Sequence, residues 1–258
     1  MPRFAANLSF LFTEHDFLDR FEAAAKAGFT AVEVLFPYAY EPAEIRARLV
    51  SNSLELALFN LPPGHWDKGE RGFAGVPGRE DEFSYAVDLA LRYADALGCR
   101  RLHAMAGLVT HGACRETYVT NLRLAAAWAA DDDVTIQIEP INRRDMPGYL
   151  LSRTADAREV IAEVAAPNLM LQLDLYHRHI EEGGVPAAIT EFAPLVGHYQ
   201  IASPPDRGEP DHGEVDYREA FRLIDASGFE GFVGCEYKPR AGTLAGLGWA
   251  PRLGVSLG

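Results

Sequence analysis

The sequence predicts an α/β protein of one domain, a closed (β/α)8 TIM barrel over residues 1–258. Three observations carry this. Eight strand-like runs recur along the chain, and helix-like runs with apolar residues at helical spacing separate them. Strict alternation of strand and helix implies a parallel sheet with helices packed outside it. The length, 258 residues, is that of one barrel of about 250, and no shift in composition marks a boundary. A doubly wound open sheet is the competitor, but no GxGxxG follows the first strand.

Residues 4–10 read as the first strand. Residues 16–27 read as a helix in which Phe17, Leu18, Phe21 and Ala25 share a face and Gly28 ends the run. Strand two is 31–36, and Pro42 opens the next helix, as proline does in a first turn. Strand three is 54–61. Residues 62–78 form a long Gly- and Pro-rich stretch with Trp66, Lys68 and Arg71, a length more often functional than connective. A helix over 80–97 stops at Gly98. Strand four is 101–107 and the following helix 117–130.

Strand five, 136–139, ends where Pro140 can no longer donate to a ladder. Thr154 is placed to cap a helix over 154–165, followed by strand six, 169–174. A short helix spans 185–192, strand seven is 196–201, and a second long loop covers 203–215. A helix over 217–227 stops at Gly228 and leads to strand eight, 232–237. The tail, 242–258, reads as a short helix plus coil.

The formal net charge of −13 repels nucleic-acid phosphates and anionic membrane, so neither is an expected partner. Any attraction for an anionic substrate must be local. No apolar run approaches the ~20 residues of a membrane span, and the start does not read as a signal peptide. Cys99, Cys114 and Cys235 have no zinc-type spacing and suit reduced thiols. The expectation is a cytoplasmic protein acting on a small molecule, with a homo-oligomer left open.

In such a barrel, catalytic groups lie where strands end. Strand five offers Glu139, with Ile136 and Ile138 on the opposite face. Strand six offers Asp174, with Gln172 on the same face and three leucines behind. Strand seven offers Gln200 with His198 below it. Strand eight offers Glu236, with Lys238 two residues on. Three carboxylates buried together cost several kcal/mol per ion unless something neutralises them. Glu139, Asp174, Gln200 and Glu236 form an all-oxygen set that suits Mg²⁺ or Mn²⁺ over zinc. His177 lies just past Asp174, as a structural histidine or a substrate contact. Arg207 in the second long loop is either solvated or a clamp for a substrate carboxylate. Asp145 is either a turn residue or a group reaching back over the site. Glu33 and His103 fall on inward faces of strands two and four.

At these residues the sequence resembles the hydroxypyruvate isomerase family, a branch of the xylose isomerase-like barrels. The likeness spans nearly the whole chain: Arg3-Phe4-Ala5-Ala6-Asn7-Leu8-Ser9, Asn60-Leu61-Pro62, Gly69-Glu70-Arg71-Gly72, Pro77-Gly78-Arg79-Glu80, Ile138-Glu139-Pro140-Ile141-Asn142, Asp174-Leu175-Tyr176-His177, Gln200-Ile201-Ala202, Arg207-Gly208-Glu209-Pro210 with Gly213-Glu214, Cys235-Glu236-Tyr237-Lys238-Pro239 and Ala245-Gly246-Leu247. The resemblance implies a metal on Glu139, Asp174, Gln200 and Glu236, with Glu139 and Glu236 also exchanging protons with the substrate. Similarity to sugar epimerases of the same superfamily implies that His177, Arg207 and Asp145 contact substrate; those enzymes carry His where this chain has Gln200. Ser203, Arg143-Arg144 and Arg178-His179 depart from the pattern, in loops that face the substrate.

The expected reaction interconverts an α-hydroxy ketone and an α-hydroxy aldehyde, hydroxypyruvate and tartronate semialdehyde in the leading case, through an enediolate. Lys238 or Arg207 would pair with the substrate carboxylate. Four rivals stand beside it: an isomerase of a four-carbon 2-oxo acid, a sugar 3-epimerase, a DNA-repair endonuclease and a non-catalytic sugar-acid binder. The charge of −13 and the few strand-end histidines oppose the endonuclease.

Overall fold

A computed structural model describes all residues, 1–258. Eight strands run in parallel and close on themselves in sequence order: β1 (Arg3–Asn7), β2 (Ala31–Val34), β3 (Glu55–Asn60), β4 (Arg101–His103), β5 (Thr135–Ile138), β6 (Leu169–Asp174), β7 (Val196–Ile201) and β8 (Phe232–Cys235), with β8 pairing back onto β1. The helices are α1 (Arg20–Lys26), α2 (Pro42–Ser51), α3 (Glu80–Leu97), α4 (Arg115–Ala130), α5 (Thr154–Val164), α6 (Leu175–Glu182), α7 (Val185–Phe192), α8 (Tyr217–Ala226), α9 (Thr243–Gly246) and α10 (Trp249–Leu253). The (β/α)8 expectation holds. No helix is long and apolar enough to cross a membrane.

The helices follow from local chemistry. In α8, Tyr217, Ala220, Phe221 and Ile224 fall on one buried stripe, and Asp216 caps the first turn by accepting from Arg218 N and Glu219 N. Glu41 and Glu44 form a reciprocal capping box at the start of α2, with Pro42 in its first turn. The helix stripes pack on the outward faces of the strands, in one continuous apolar core.

Inside the barrel the character changes along the axis. Ala5, Ala31, Ala57 and Phe232 form a separate apolar cluster toward the amino-terminal end. Two residues further along the same strands stand Asn7, Glu33 and Gly234. A Cβ on Gly234 would lie 2.3 Å from the Glu33 carboxylate oxygens, so glycine makes room for that buried acid.

Several elements differ from expectation, and three bear on the site. β1 ends at Asn7, because the Asn7 side chain accepts from Ser9 N (3.0 Å) and its carbonyl from Phe10 N and Leu11 N, turning the chain. β4 ends at His103, after which the backbone crosses to the 62–78 loop through a Gly72–Ala106 bridge. Residues 175–182, unassigned between strand six and the 185–192 helix, form α6, which starts directly from the last residue of β6.

Candidate active site

Because all strands run the same way, their carboxyl ends share one face of the barrel. Glu139 lies one residue beyond β5 and Glu236 one beyond β8, while Asp174 ends β6 and Gln200 sits in β7. Asp174 also caps α6: its Oδ1 accepts from Tyr176 N at 2.8 Å. Its Oδ2 is buried with no hydrogen-bond partner. The first turn of α6 supplies His177, and the loop after β7 supplies Arg207. A cavity of about 160 Å³ opens at this face, lined by Glu139, His177, Arg207, Glu236 and Asp145 on its polar side. Phe10, Phe36, Trp66, Met105, Ile141 and Met146 make the apolar side.

The carboxylates are close and desolvated. Burial pushes Glu139 well above the usual carboxylate range, and Glu236 and Asp174 push it further. Burial raises Glu236 to about 8, although Arg207 pulls it down. Asp174 is raised by burial against the pull of Arg207. Burial opposes the charge on Arg207, but Glu236, Asp174 and Glu139 outweigh it and hold the guanidinium protonated. Arg207 pairs with Glu236 and stands 3.7 Å from Asp174 Oδ2. Burial, then Arg207, pushes His177 well below its ordinary value, so the ring is neutral. Burial likewise takes His103 down to about 3.

Beneath the carboxylates lies a second buried polar layer. Glu33 accepts from Gln200 Nε2 (2.8 Å) and Asn7 Nδ2 (3.0 Å), and pairs with His198 Nε2 (2.6 Å). Asn7 and Gln200 also donate to Glu236 Oε2, at 3.2 and 2.6 Å. His103 Nδ1 lies 3.5 Å from Glu139 Oε2. Thus Glu33 and His103 do face inward, Glu33 as the anchor of the layer that supports Glu236.

One metal expectation meets a different geometry. Gln200 turns its NH2 end toward Glu33 and Glu236, and its carbonyl oxygen accepts from Gln172 Nε2 at 2.7 Å. Between two carboxylates the donor end of an amide is the stable one. Lys238, expected to contact substrate, is exposed and is not among the residues lining the cavity. β8 stops at Cys235, so the period-two rule that put Lys238 beside Glu236 no longer applies there. Its backbone N–H instead donates to Arg207 O at 2.7 Å, tying down the arginine loop. Asp145 does line the cavity, but Tyr176 OH donates to its Oδ2 (2.7 Å) and Arg144 Nε lies 3.3 Å from its Oδ1.

The donor set fits a divalent cation. Oxygen or nitrogen atoms of Glu139, Asp174 and His177 all lie within 4.8 Å of one another, and the unpartnered Asp174 Oδ2 is among buried groups that carry excess negative charge. Asn7, Asn142, Gln172 and Tyr176 complete the surroundings. Of these, Gln172 is signalled by inward alternation; Asn7, Asn142 and Tyr176 lie in the motifs that carry the family resemblance, which implies no role for them.

Comparison with known proteins agrees with this architecture. A family model described as a xylose isomerase-like TIM barrel matches residues 21–253. A 2-oxo-tetronate isomerase of Cupriavidus necator is 53% identical, covering 98% of this chain and 100% of that one. Hydroxypyruvate isomerase of Escherichia coli is 47% identical, covering 96% and 98%. A crystal structure from Brucella melitensis, described as an AP endonuclease of family 2, superposes with a TM-score of 0.96 at 47% identity over 98% of this chain and 99% of that one. The chain belongs to the xylose isomerase-like TIM barrel family, in the group that contains the hydroxypyruvate and 2-oxo-tetronate isomerases.

Proposed function

We propose that this chain is a divalent-cation-dependent isomerase of a short hydroxy-oxo acid, moving a proton between neighbouring carbons. The observation that carries the reading is the pair Glu139 and Glu236. Both line one small cavity, both are held above the ordinary carboxylate range by burial, and a third buried carboxylate, Asp174, has an oxygen with no hydrogen-bond partner. A binding module has no use for two such acids.

Glu139, Asp174 and Glu236 would hold Mg²⁺ or Mn²⁺, with Gln200 joining once its amide turns its carbonyl inward; when bound, the ion would stabilise negative charge developing on the carbonyl and hydroxyl oxygens. One glutamate takes the proton from the hydroxyl-bearing carbon, the other returns a proton to the adjacent carbon, and the hydroxyl proton passes to the former carbonyl oxygen. Arg207 is the only permanent cation lining the cavity, so it is the group that receives the substrate carboxylate. The apolar wall of Phe36, Trp66 and Met105 keeps water from the reacting carbons.

Hydroxypyruvate and 2-hydroxy-3-oxopropanoate (tartronate semialdehyde) are the proposed pair. A four-carbon 2-oxo-tetronate is the second reading, favoured by the 53% identity to the Cupriavidus isomerase against 47% to the Escherichia enzyme. The test is product analysis by NMR with both acids, after chelation and with Mg²⁺ or Mn²⁺ restored. Cation-dependent isomerisation of one or both is expected. Epimerisation at a single carbon, or turnover indifferent to chelator, would overturn the proposal.

A further inference from the structure

We infer that Asn142 fixes the tautomer of His177, so that His177 presents an Nε2–H donor to the cavity and is not itself a cation ligand. One donor beside Asn142 is fixed by the backbone. The backbone N–H of Asp145 lies 2.8 Å from one end of the Asn142 amide, so that end is the oxygen. The other end is therefore NH2, and it lies 2.6 Å from His177 Nδ1. A second fixed donor, the backbone N–H of Asn142, faces the same ring nitrogen at 3.5 Å. A ring nitrogen facing two donors holds a lone pair. The proton of the neutral ring then sits on Nε2.

The far side of the ring agrees. Nε2 lies 3.7 Å from Asp174 Oδ2 and 3.9 Å from Glu139 Oε1. An N–H between two carboxylate oxygens is attracted, whereas a lone pair there would be repelled. His177 is 3% exposed and Asn142 fully buried, so water does not offer either nitrogen a different partner. The Asn142 carbonyl end and Asp145 are locked in turn by Tyr176, whose hydroxyl donates to Asp145 Oδ2.

The consequence concerns which atoms a cation receives. Glu139, Asp174 and His177 are close enough to share one ion, yet the tautomer removes the imidazole from that set. The ligands left are oxygens, the chemistry of Mg²⁺ and Mn²⁺ and not of zinc. The Nε2–H remains for a substrate oxygen; only this last step rests on the proposed isomerase reading. Asn142 is a positioning residue, acting through His177.

The test is a ¹⁵N-histidine spectrum of the full chain, with His177 assigned by comparison with His177→Gln. In the cation-free protein, His177 is expected to show a protonated Nε2 and an unprotonated Nδ1. The Nε2–H signal should persist when Mg²⁺ is added. In Asn142→Asp, which offers Nδ1 an acceptor, the ring proton should appear on Nδ1. Turnover of Asn142→Asp should fall ~10–100-fold, and the double variant with His177→Gln should lose little more than His177→Gln alone. A wild-type Nδ1–H, or loss of Nε2–H on adding Mg²⁺, would overturn the inference even if Asn142→Asp fails to fold. Absence of isomerase turnover with the expected tautomer intact would instead count against the proposed function alone.

Discussion

The two ends of the barrel interior are built on the same strands and obey opposite rules. At the amino-terminal end, Ala5, Ala31, Ala57 and Phe232 fill the bore with apolar surface, and Arg3 lays its guanidinium over the Phe232 ring at 4.4 Å. Two residues along, Asn7, Glu33 and Gly234 replace them, and the bore becomes a buried network of amides, imidazole and carboxylates. The first end gains free energy by leaving water. The second loses it, offset in part by the hydrogen bonds that join Glu33, His198, Gln200, Asn7 and Glu236; Asp174 Oδ2 and both ring nitrogens of His103 are among the buried atoms left without a partner. Stability and chemistry are separated by one step of the pleat.

That separation can be broken from either side. The largest effect is expected at the polar end, where Glu139→Gln and Glu236→Gln should each lower kcat by ~10²–10⁴-fold while the fold is retained. Near-normal turnover in either variant would end the assignment. The mirror experiment is Phe232→Ala, which should cost about 3–5 kcal/mol of stability in denaturant titration and leave kcat of the folded fraction unchanged.

Glu33→Leu tests the seam between the two ends. It strips the partner from His198, Gln200 and Asn7 and should cost about 3–5 kcal/mol, with a loss of turnover because Glu236 loses its support. A smaller loss, about 1–3 kcal/mol, is expected for Gly234→Ala, whose methyl must displace the Glu33 carboxylate.

The smallest effect is a pH dependence of the cation-free protein. Glu236, raised by burial to about 8, keeps its proton in the fold at pH values where the unfolded chain has released it. The folded state thus binds more protons, so stability should fall as pH rises through about 8 and level off above. The buried neutral histidines, His103 and His177, act with the opposite sign but only below about pH 6.5. Thermal melts between about pH 6.5 and about pH 8 should show the decline, and Glu236→Gln should reduce its slope.

The sequence made one end of this contrast readable and only part of the other. Glu139, Asp174, Gln200 and Glu236 stood out because a single polar residue closes each apolar strand, and strand alternation is a local signal. The barrel itself was readable for the same reason. Lys238 stands outside the cavity lining because β8 ends at Cys235 and strand alternation does not extend that far. Residues 175–182, unassigned from the sequence, are a helix because Asp174 caps it, and a residue picked out as a ligand concealed its second use as a cap. The grip of Asn142 on His177 joins residues 35 apart in sequence, and the orientation of the Gln200 amide depends on carboxylates from two other strands. Neither leaves a trace in the order of residues along the chain.

The central claim is that three carboxylates from separate strands converge to hold one divalent cation. Mn²⁺ titration of the chelator-treated protein, read by electron paramagnetic resonance, tests it without any assumption about substrate. The account predicts one saturable Mn²⁺ per chain, lost in a folded Asp174→Asn variant. No saturable binding, or binding indifferent to Asp174→Asn, would contradict it.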